Sequence, residues 1–418
     1  PMLVKKFQAE EIIIAIPSAP GNVIRDLVDI CRRTPAKLKI VPKLYEIIEG
    51  RISVSSLREV EVEDLLCRQP VKVDLDEITG YLGGKCVLVT GAGGSIGSEL
   101  SRQVACHNPA TLVLLGHDEN PIFDIEQELR RVFPQLNLKS VICDVKDKAK
   151  VNTVFKQYKP QVVFHAAAHK HVPLMEENPE EAIKNNILGT RNVAVAADQY
   201  GAGVFVFIST DKAVNPTSVM GTTKRIAEMV VQAMARKSTT KFAAVRFGNV
   251  LGSRGSVLPT FKEQIARGGP LTVTHKEMVR YFMTIPEAVQ LVIQAGAMTR
   301  GGEIFVLDMG EPVKILHMAE DLIRLTGLEP YKDIDIKITG IRPGEKLYEE
   351  LLTDEEGTTA TKHKKIFISK NNDVDTEKLE EYIILFAARN WADNREELLV
   401  MLKDLVPAYQ LENSLRTG

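Results

Sequence analysis

Cys86-Val87-Leu88-Val89-Thr90-Gly91-Ala92-Gly93-Gly94-Ser95-Ile96-Gly97 is the stretch on which the fold turns. An apolar run runs straight into a glycine-rich turn, and the residues after it take amphipathic helical spacing. Gly91 allows a tight turn, Gly94 lets backbone approach a pyrophosphate, and Gly97 lets the helix pack closely on the strand. The helix N-terminus adds free N–H groups and a positive dipole end. Gly93, Ser95 and Ile96 complete this predicted dinucleotide loop. Asp118 stands about 20 residues past Gly97, the expected place of a carboxylate on the adenosine ribose hydroxyls. No Arg stands beside it to pair with a 2′-phosphate, so NAD is favoured over NADP. At the end of the third expected strand, Asp144 and Val145 occupy the place where side chains meet the adenine. The alternative for Asp144 is a helix N-cap.

Outward from that stretch, strands are expected at 86–90, 111–115, 140–143, 162–165, 204–209 and 242–247, and helices at 96–106, 124–132, 149–158, 179–200 and 222–235. This alternation predicts an α/β fold with a doubly wound parallel sheet and right-handed crossovers. Residues 84–247 form the expected NAD-binding core of a catalytic domain spanning 77–418. The less regular, Gly- and Pro-containing stretches 248–275 and 308–410 form a smaller substrate-binding portion. Residues 1–76 carry a separate βαβ pattern whose first turn, Ser18-Ala19-Pro20-Gly21, lacks the glycine motif. They are expected to be a Rossmann-like accessory domain, used for packing or regulation.

At roughly 150 residues per domain, 418 residues allow two or three domains. A formal net charge of -2 argues against bulk electrostatic binding to nucleic acid or anionic lipid. Five cysteines with no C-x-x-C argue against a disulfide framework and structural zinc, and fit a reducing compartment. Residues 281–299 are the most apolar long window but contain Glu287 and two Gln, which suits a core helix. His165, His169 and His171 have no acidic neighbour at ligand spacing, so no metal is expected.

Further motifs follow in order: His165-Ala166-Ala167-Ala168-His169-Lys170, Ser209-Thr210-Asp211-Lys212-Ala213, Lys224, Arg246-Phe247-Gly248-Asn249-Val250 and Arg342-Pro343-Gly344-Glu345-Lys346. With the glycine loop they make residues 78–410 resemble the extended short-chain dehydrogenase/reductases. More narrowly, the motifs resemble those of the UDP-N-acetylglucosamine 4,6-dehydratases of bacterial capsule, O-antigen and protein-glycan synthesis. Long members of that family carry a bundle of transmembrane helices ahead of a domain like residues 1–76. The resemblance thus implies an anchor N-terminal to Pro1, in the bacterial inner membrane, with this part of the protein at the cytoplasmic face. It also implies a homo-oligomer.

The implied reaction moves a hydride from C4 to NAD, eliminates water across C5 and C6, and returns the hydride to C6. Glucose dehydratases carry Thr-Asp-Glu where this chain has Thr210-Asp211-Lys212. By resemblance, Asp211 is the acid for the C6 hydroxyl, Lys212 the base at C5, and Thr210 a hydrogen-bond partner of the C4 hydroxyl. Short-chain dehydrogenases usually place Tyr four residues before the Lys corresponding to Lys224, a spacing that shares a helix face. Here Met220 stands there and cannot take a proton. In the family, Met at this place goes with C5 retention. It leaves the C4-hydroxyl proton to Asp211 or to water near Lys224. Lys224 serves the nicotinamide ribose, and Ala166, Ala167 and Ala168 run past the cofactor. His169, Lys170, Asn249, Val257, Arg280, Arg342 and Glu345 are implied substrate contacts, with Asn249 and the two arginines on the UDP diphosphate. A C5-inverting dehydratase or C4 epimerase, and a non-catalytic NAD-binding regulator, are the competing readings.

Overall fold

The computed structural model describes residues 1–16, 19, 21–31, 34–41, 57–65, 71, 73–352, 357–370, 374–389, 391 and 394–410. Most of the turn expected over 17–21 and part of the linker before 76 lie outside them. The chain divides into two compact units. One comprises Pro1–Lys72, Gly255–Thr284 and Gly310–Gly340; the other comprises Val73–Arg254, Ile285–Met309 and Ile341–Gly418.

In the first unit, strands Glu11–Ile14 and Lys37–Ile40 pair in parallel across helix Gly21–Cys31. Ile14, Ile24, Val28, Ile40, Val60 and Leu65 form its N-terminal core, and Leu325 packs against it. Helix Ile315–Leu325, which carries Leu325, also offers Asp321 to Arg25 at 3.2 Å. The N-terminal residues therefore share a unit with part of the stretch expected to bind substrate.

The second unit holds the main sheet: β1 (Cys86–Thr90), β2 (Thr111–Gly116), β3 (Leu138–Ile142), β4 (Val162–His165), β5 (Val204–Ile208), β6 (Lys241–Arg246), β7 (Ile304–Leu307), β8 (Thr358–Ala360) and β9 (Ile366–Ser369). Their order is β8-β9-β7-β6-β5-β4-β1-β2-β3. Every neighbouring pair from β7 to β3 is parallel, while β9 and β8 add antiparallel edges. Parallel strands are covered on both faces and so consist of continuous apolar runs. Val87, Leu88 and Val89 of β1 are fully buried, as are Val163 and Phe164 of β4.

The connecting helices are α1 (Ser95–Ala105), α2 (Glu119–Val132), α3 (Lys148–Tyr158), α4 (Thr190–Gln199) and α5 (Val219–Lys237). Helix α2 begins five residues before the expected start, because Pro121 falls in its first turn, where a missing N–H costs nothing. Helix α5 begins at Val219, where the Ser218 hydroxyl accepts the Gly221 N–H. The helix expected at 179–200 is interrupted: Ile183–Gly189 is π-helical. Two C-terminal helices, Thr376–Ala388 and Arg395–Leu405, cover α5 through a cluster that includes Met220, Ile383, Trp391 and Leu402. Among the described residues, no helix is long and apolar enough to cross a membrane.

Candidate active site

The chain lays β1, β2 and β3 outward on one side, then returns to lay β4 on the other side of β1. The carboxyl ends of β1 and β4 thus flank the topological switch point, where open α/β sheets bind ligands. Gly91 has φ +64, and a Cβ there would lie 2.7 Å from the Ala167 nitrogen. The loops after β1 and β4 consequently touch backbone to backbone. A Cβ on Gly97 would meet the Gly91 oxygen at 2.1 Å, so the first turn of α1 closes directly over the loop. Beneath the two loops, Thr90 Oγ1 lies 2.7 Å from His165 Nδ1, and Thr190 Oγ1 lies 3.0 Å from His165 Nε2. Burial, then the charge of Lys224, pushes His165 down to about 3. It is a neutral strut between two hydroxyls. Among the described residues, no group of three or more His, Cys, Asp or Glu is placed to hold a metal.

Asp118 is exposed at the end of β2, and its carboxylate makes no cap bond to α2 although it occupies the N-cap position. A cradle of backbone, a helix N-terminus at Ser95 and a free carboxylate at Asp118 suit a dinucleotide. Asp144 is not the cap of α3. Asp147 takes that part, accepting from the Lys150 N–H, while Asp144 accepts the Lys146 N–H at 2.9 Å. Val145 is buried beside Gly189.

The Ala166–Lys170 stretch is strapped down from both ends. The Ala167 N–H donates to Thr90 Oγ1 at 3.3 Å. The His169 N–H donates to Asn186 Oδ1 at 2.8 Å, and Asn186 Nδ2 donates to the His169 carbonyl at 3.0 Å and to Thr223 Oγ1 at 3.1 Å. Asn186 belongs to the π-helical segment, a type of irregularity that often marks functional sites. Lys170 is an exposed residue whose Nζ lies 3.4 Å from Ser253 Oγ, and partial desolvation, then Lys212, lowers its pKa. The next residue, Arg254, donates its N–H to Ser95 Oγ at 3.1 Å, joining the loop after β6 to the glycine loop.

On the other side of the switch point, β5 ends at Ile208 and the chain turns through Ser209 into a 3-10 turn, Asp211–Ala213. Asp211 is fully buried. Its Oδ1 accepts from Thr210 Oγ1 at 2.8 Å and Lys212 Nζ at 3.1 Å, while Oδ2 has no hydrogen-bond partner among the described residues. Lys212 Nζ also donates to Asn249 Oδ1 at 3.1 Å and stands 3.5 Å from Glu349 Oε1. Asn249, expected on a diphosphate, has its amide carbonyl on Lys212. Lys224 is almost wholly buried: Nζ donates to the Ile208 carbonyl at 2.6 Å and lies 3.9 Å from the Phe207 ring centroid. Burial, partly offset by Glu228, lowers it to about 7. Met220, one helical turn earlier, is 2% exposed within the apolar cluster.

A buried charge network supports this turn. Arg246 holds Glu228 with Nε and Nη2, each at 2.7 Å; Ser209 Oγ donates to the same carboxylate at 2.6 Å, and Arg225 at 2.9 Å. Burial alone would raise the Glu228 carboxyl, but Arg246 first, then Arg225 and Ser209, hold it at about 2.

Arg342 is exposed, and Glu345 turns back to accept the Arg342 N–H at 3.3 Å. Arg280 and Val257 belong to the first unit. Arg280 is buried in strand Val279–Arg280 and donates to the Val279 carbonyl at 2.7 Å; Val257 opens helix Val257–Ala266. Three contributors escaped the sequence reading. The adjacent polar pair Asn185-Asn186 inside an apolar helical run was a usable signal for the π segment. Ser253 and Glu349 had none; nothing in the sequence separates Glu349 from its neighbours Glu345 and Glu350.

Residues 87–371 match the family described as polysaccharide biosynthesis protein. The chain is 55% identical over 372 residues to the capsular polysaccharide biosynthesis protein CapD of Staphylococcus aureus, covering 88% of this chain and 62% of that protein. It therefore spans less than two thirds of that relative's length. It is 34% identical over 278 residues to the inverting UDP-N-acetylglucosamine 4,6-dehydratase of Campylobacter jejuni, covering 65% of this chain and 79% of the relative. The X-ray structure of Pen from Bacillus thuringiensis superposes with TM-score 0.65 at 33% identity, covering 74% of this chain and all of that one.

Proposed function

This chain belongs to the polysaccharide biosynthesis protein family, and from that premise we propose that it is an NAD-dependent UDP-N-acetylglucosamine 4,6-dehydratase that retains configuration at C5. The carrying observation is the pairing of a buried carboxylate with an ammonium at the end of β5: Asp211 and Lys212, 3.1 Å apart, between Thr210 and Asn249. A dehydratase needs an acid at C6 and a base at C5 for the elimination, whereas a simple C4 epimerase needs only an acid/base at the C4 oxygen.

NAD, when bound, supplies the hydride acceptor and donor. Gly91, Gly94 and the α1 N-terminus would hold its pyrophosphate, Asp118 its adenosine ribose, and Lys224 its nicotinamide ribose. Thr210 positions the C4 hydroxyl, and Asp211 takes that proton. The same proton leaves Asp211 for the C6 hydroxyl, which departs as water, while Lys212 takes the C5 proton, exchanges its N–H protons with solvent and then donates one to C5. Protons balance: one moves from O4 to the departing water, and C5 loses one and regains one. Met220, buried among apolar side chains, takes no part, which favours the retaining outcome over the inverting one.

Incubation with UDP-N-acetylglucosamine is expected to give a product lighter by one water, with C5 configuration unchanged by NMR coupling constants. A product of unchanged mass would make the protein an epimerase. No turnover of any UDP-sugar, with NAD bound, would favour a regulator.

A further inference from the structure

Lys212 presents a chemical problem that the catalytic pair alone does not solve. An ammonium has three N–H donors and no lone pair, so it cannot take a proton. The acceptors beside its Nζ include Asp211 Oδ1 at 3.1 Å, Asn249 Oδ1 at 3.1 Å and Glu349 Oε1 at 3.5 Å. Asp211 is committed to the C4 and C6 oxygens, and a neutral amide cannot accept a proton at useful cost. Glu349 remains. Its side chain is only 4% exposed, although it belongs to a charged run that sequence alone would place in solvent.

The segment that delivers it is docked by design of its contacts. Thr217 Oγ1 donates to the Gly344 carbonyl at 2.9 Å, Lys346 Nζ to the Val214 carbonyl at 3.0 Å, and Asn215 Nδ2 to Glu350 Oε2 at 2.8 Å. Gly344 has φ +72, and a Cβ there would lie 2.9 Å from Ser218 Cβ, so the backbone lies hard against the start of α5. Residues 344–350 are thereby fixed to the loop that follows Lys212.

We propose that Glu349 is a positioning residue for the elimination: it accepts one proton from the Lys212 ammonium and so frees the amine that takes the C5 proton. One N–H bond breaks as a Glu349 O–H forms; then C5–H breaks as a new N–H forms. Both transfers reverse when C5 is reprotonated, and no further reactant is needed. This inference rests on the dehydratase reading and refines it.

The test compares wild type, Glu349→Gln and Glu349→Asp with UDP-N-acetylglucosamine, reading kcat and KM against pH together with solvent-deuterium entry at C5. Glu349→Gln is expected to lower kcat about a hundredfold at neutral pH. The loss should shrink as pH rises, because hydroxide can then free the amine. KM and copurified NAD should stay near wild type, C5 exchange should fall with kcat, and the transient NADH absorbance of the C4 step should persist. Glu349→Asp should recover much of the rate. Wild-type C5 exchange in Glu349→Gln overturns the inference, as does a pH-independent loss shared by the C4 step. An inactive wild type overturns the dehydratase reading itself, which is a distinct result.

Discussion

The two sides of the switch point are built by different means. On the β1–β3 side, the site is mostly backbone: Gly91 and Gly97 pack where no side chain fits, and the carboxylate of Asp118 is exposed. On the β4–β6 side, the site is made of buried charge: Asp211 is sealed, Lys212 is surrounded by acceptors, and Glu228 and Arg246 pair beneath them with no exposed surface. A backbone site can be written in one short stretch, because adjacent residues make it. A buried-charge site needs compensation from every direction, so its members come from far apart in the chain.

The largest expected effect lies on the charged side. Arg246→Leu leaves Glu228 buried without its main partner and should cost about 3–5 kcal/mol in chemical denaturation. The same network gives a pH signature. The Glu228 carboxyl is held at about 2 against an ordinary 4.5, so it contributes stability above the higher value and loses it as pH falls through the lower. Acid unfolding of wild type should therefore steepen in that window, and a variant lacking Glu228 should not show it. Equal stability of Arg246→Leu and wild type would erase the contrast between the two sides.

Gly97→Ala strikes the backbone side. Its Cβ would meet the Gly91 oxygen at 2.1 Å, and overpacking of this kind costs about 1–3 kcal/mol. Copurified NAD should drop sharply. Normal NAD content would mean that the glycine loop has slack that the structure does not show. Asp118→Ala should leave stability alone and weaken NAD binding about tenfold by calorimetry, with the preference over NADP reduced. Tighter NADP than NAD binding in wild type would contradict the role given to this carboxylate. The smallest effect belongs to Met220→Leu, a near-isosteric change in a packed cluster expected to cost under about 1.5 kcal/mol and to spare most turnover. Loss of activity with an intact fold would give the thioether a role absent from this account.

This contrast also explains what was legible in the sequence. The apolar run and glycines of 86–97 located the sheet and its switch point, because a parallel strand and its following turn are local in sequence. Thr210, Asp211 and Lys212 were visible for the same reason: they end a strand. The π-helical interruption at Ile183–Gly189 was missed because apolar spacing there still fits an ordinary helix, and the polar pair Asn185-Asn186 was the one local sign against it. The start of α2 was misplaced because Pro121 looks like a breaker unless the first turn is already known. Glu349 was hidden most deeply. Its burial depends on a docked segment more than 130 residues away from Lys212, and no local pattern encodes that.

Solvent deuterium at C5 reports whether Lys212 is the base that takes the C5 proton. Turnover of UDP-N-acetylglucosamine by wild type in deuterium oxide should place one deuterium at C5 of the dehydrated product, while Lys212→Ala should give no C5 deuterium and no dehydrated product, with NADH absorbance still appearing on mixing. Dehydration with normal C5 deuterium in Lys212→Ala would contradict the account, because the base at C5 would then be another group.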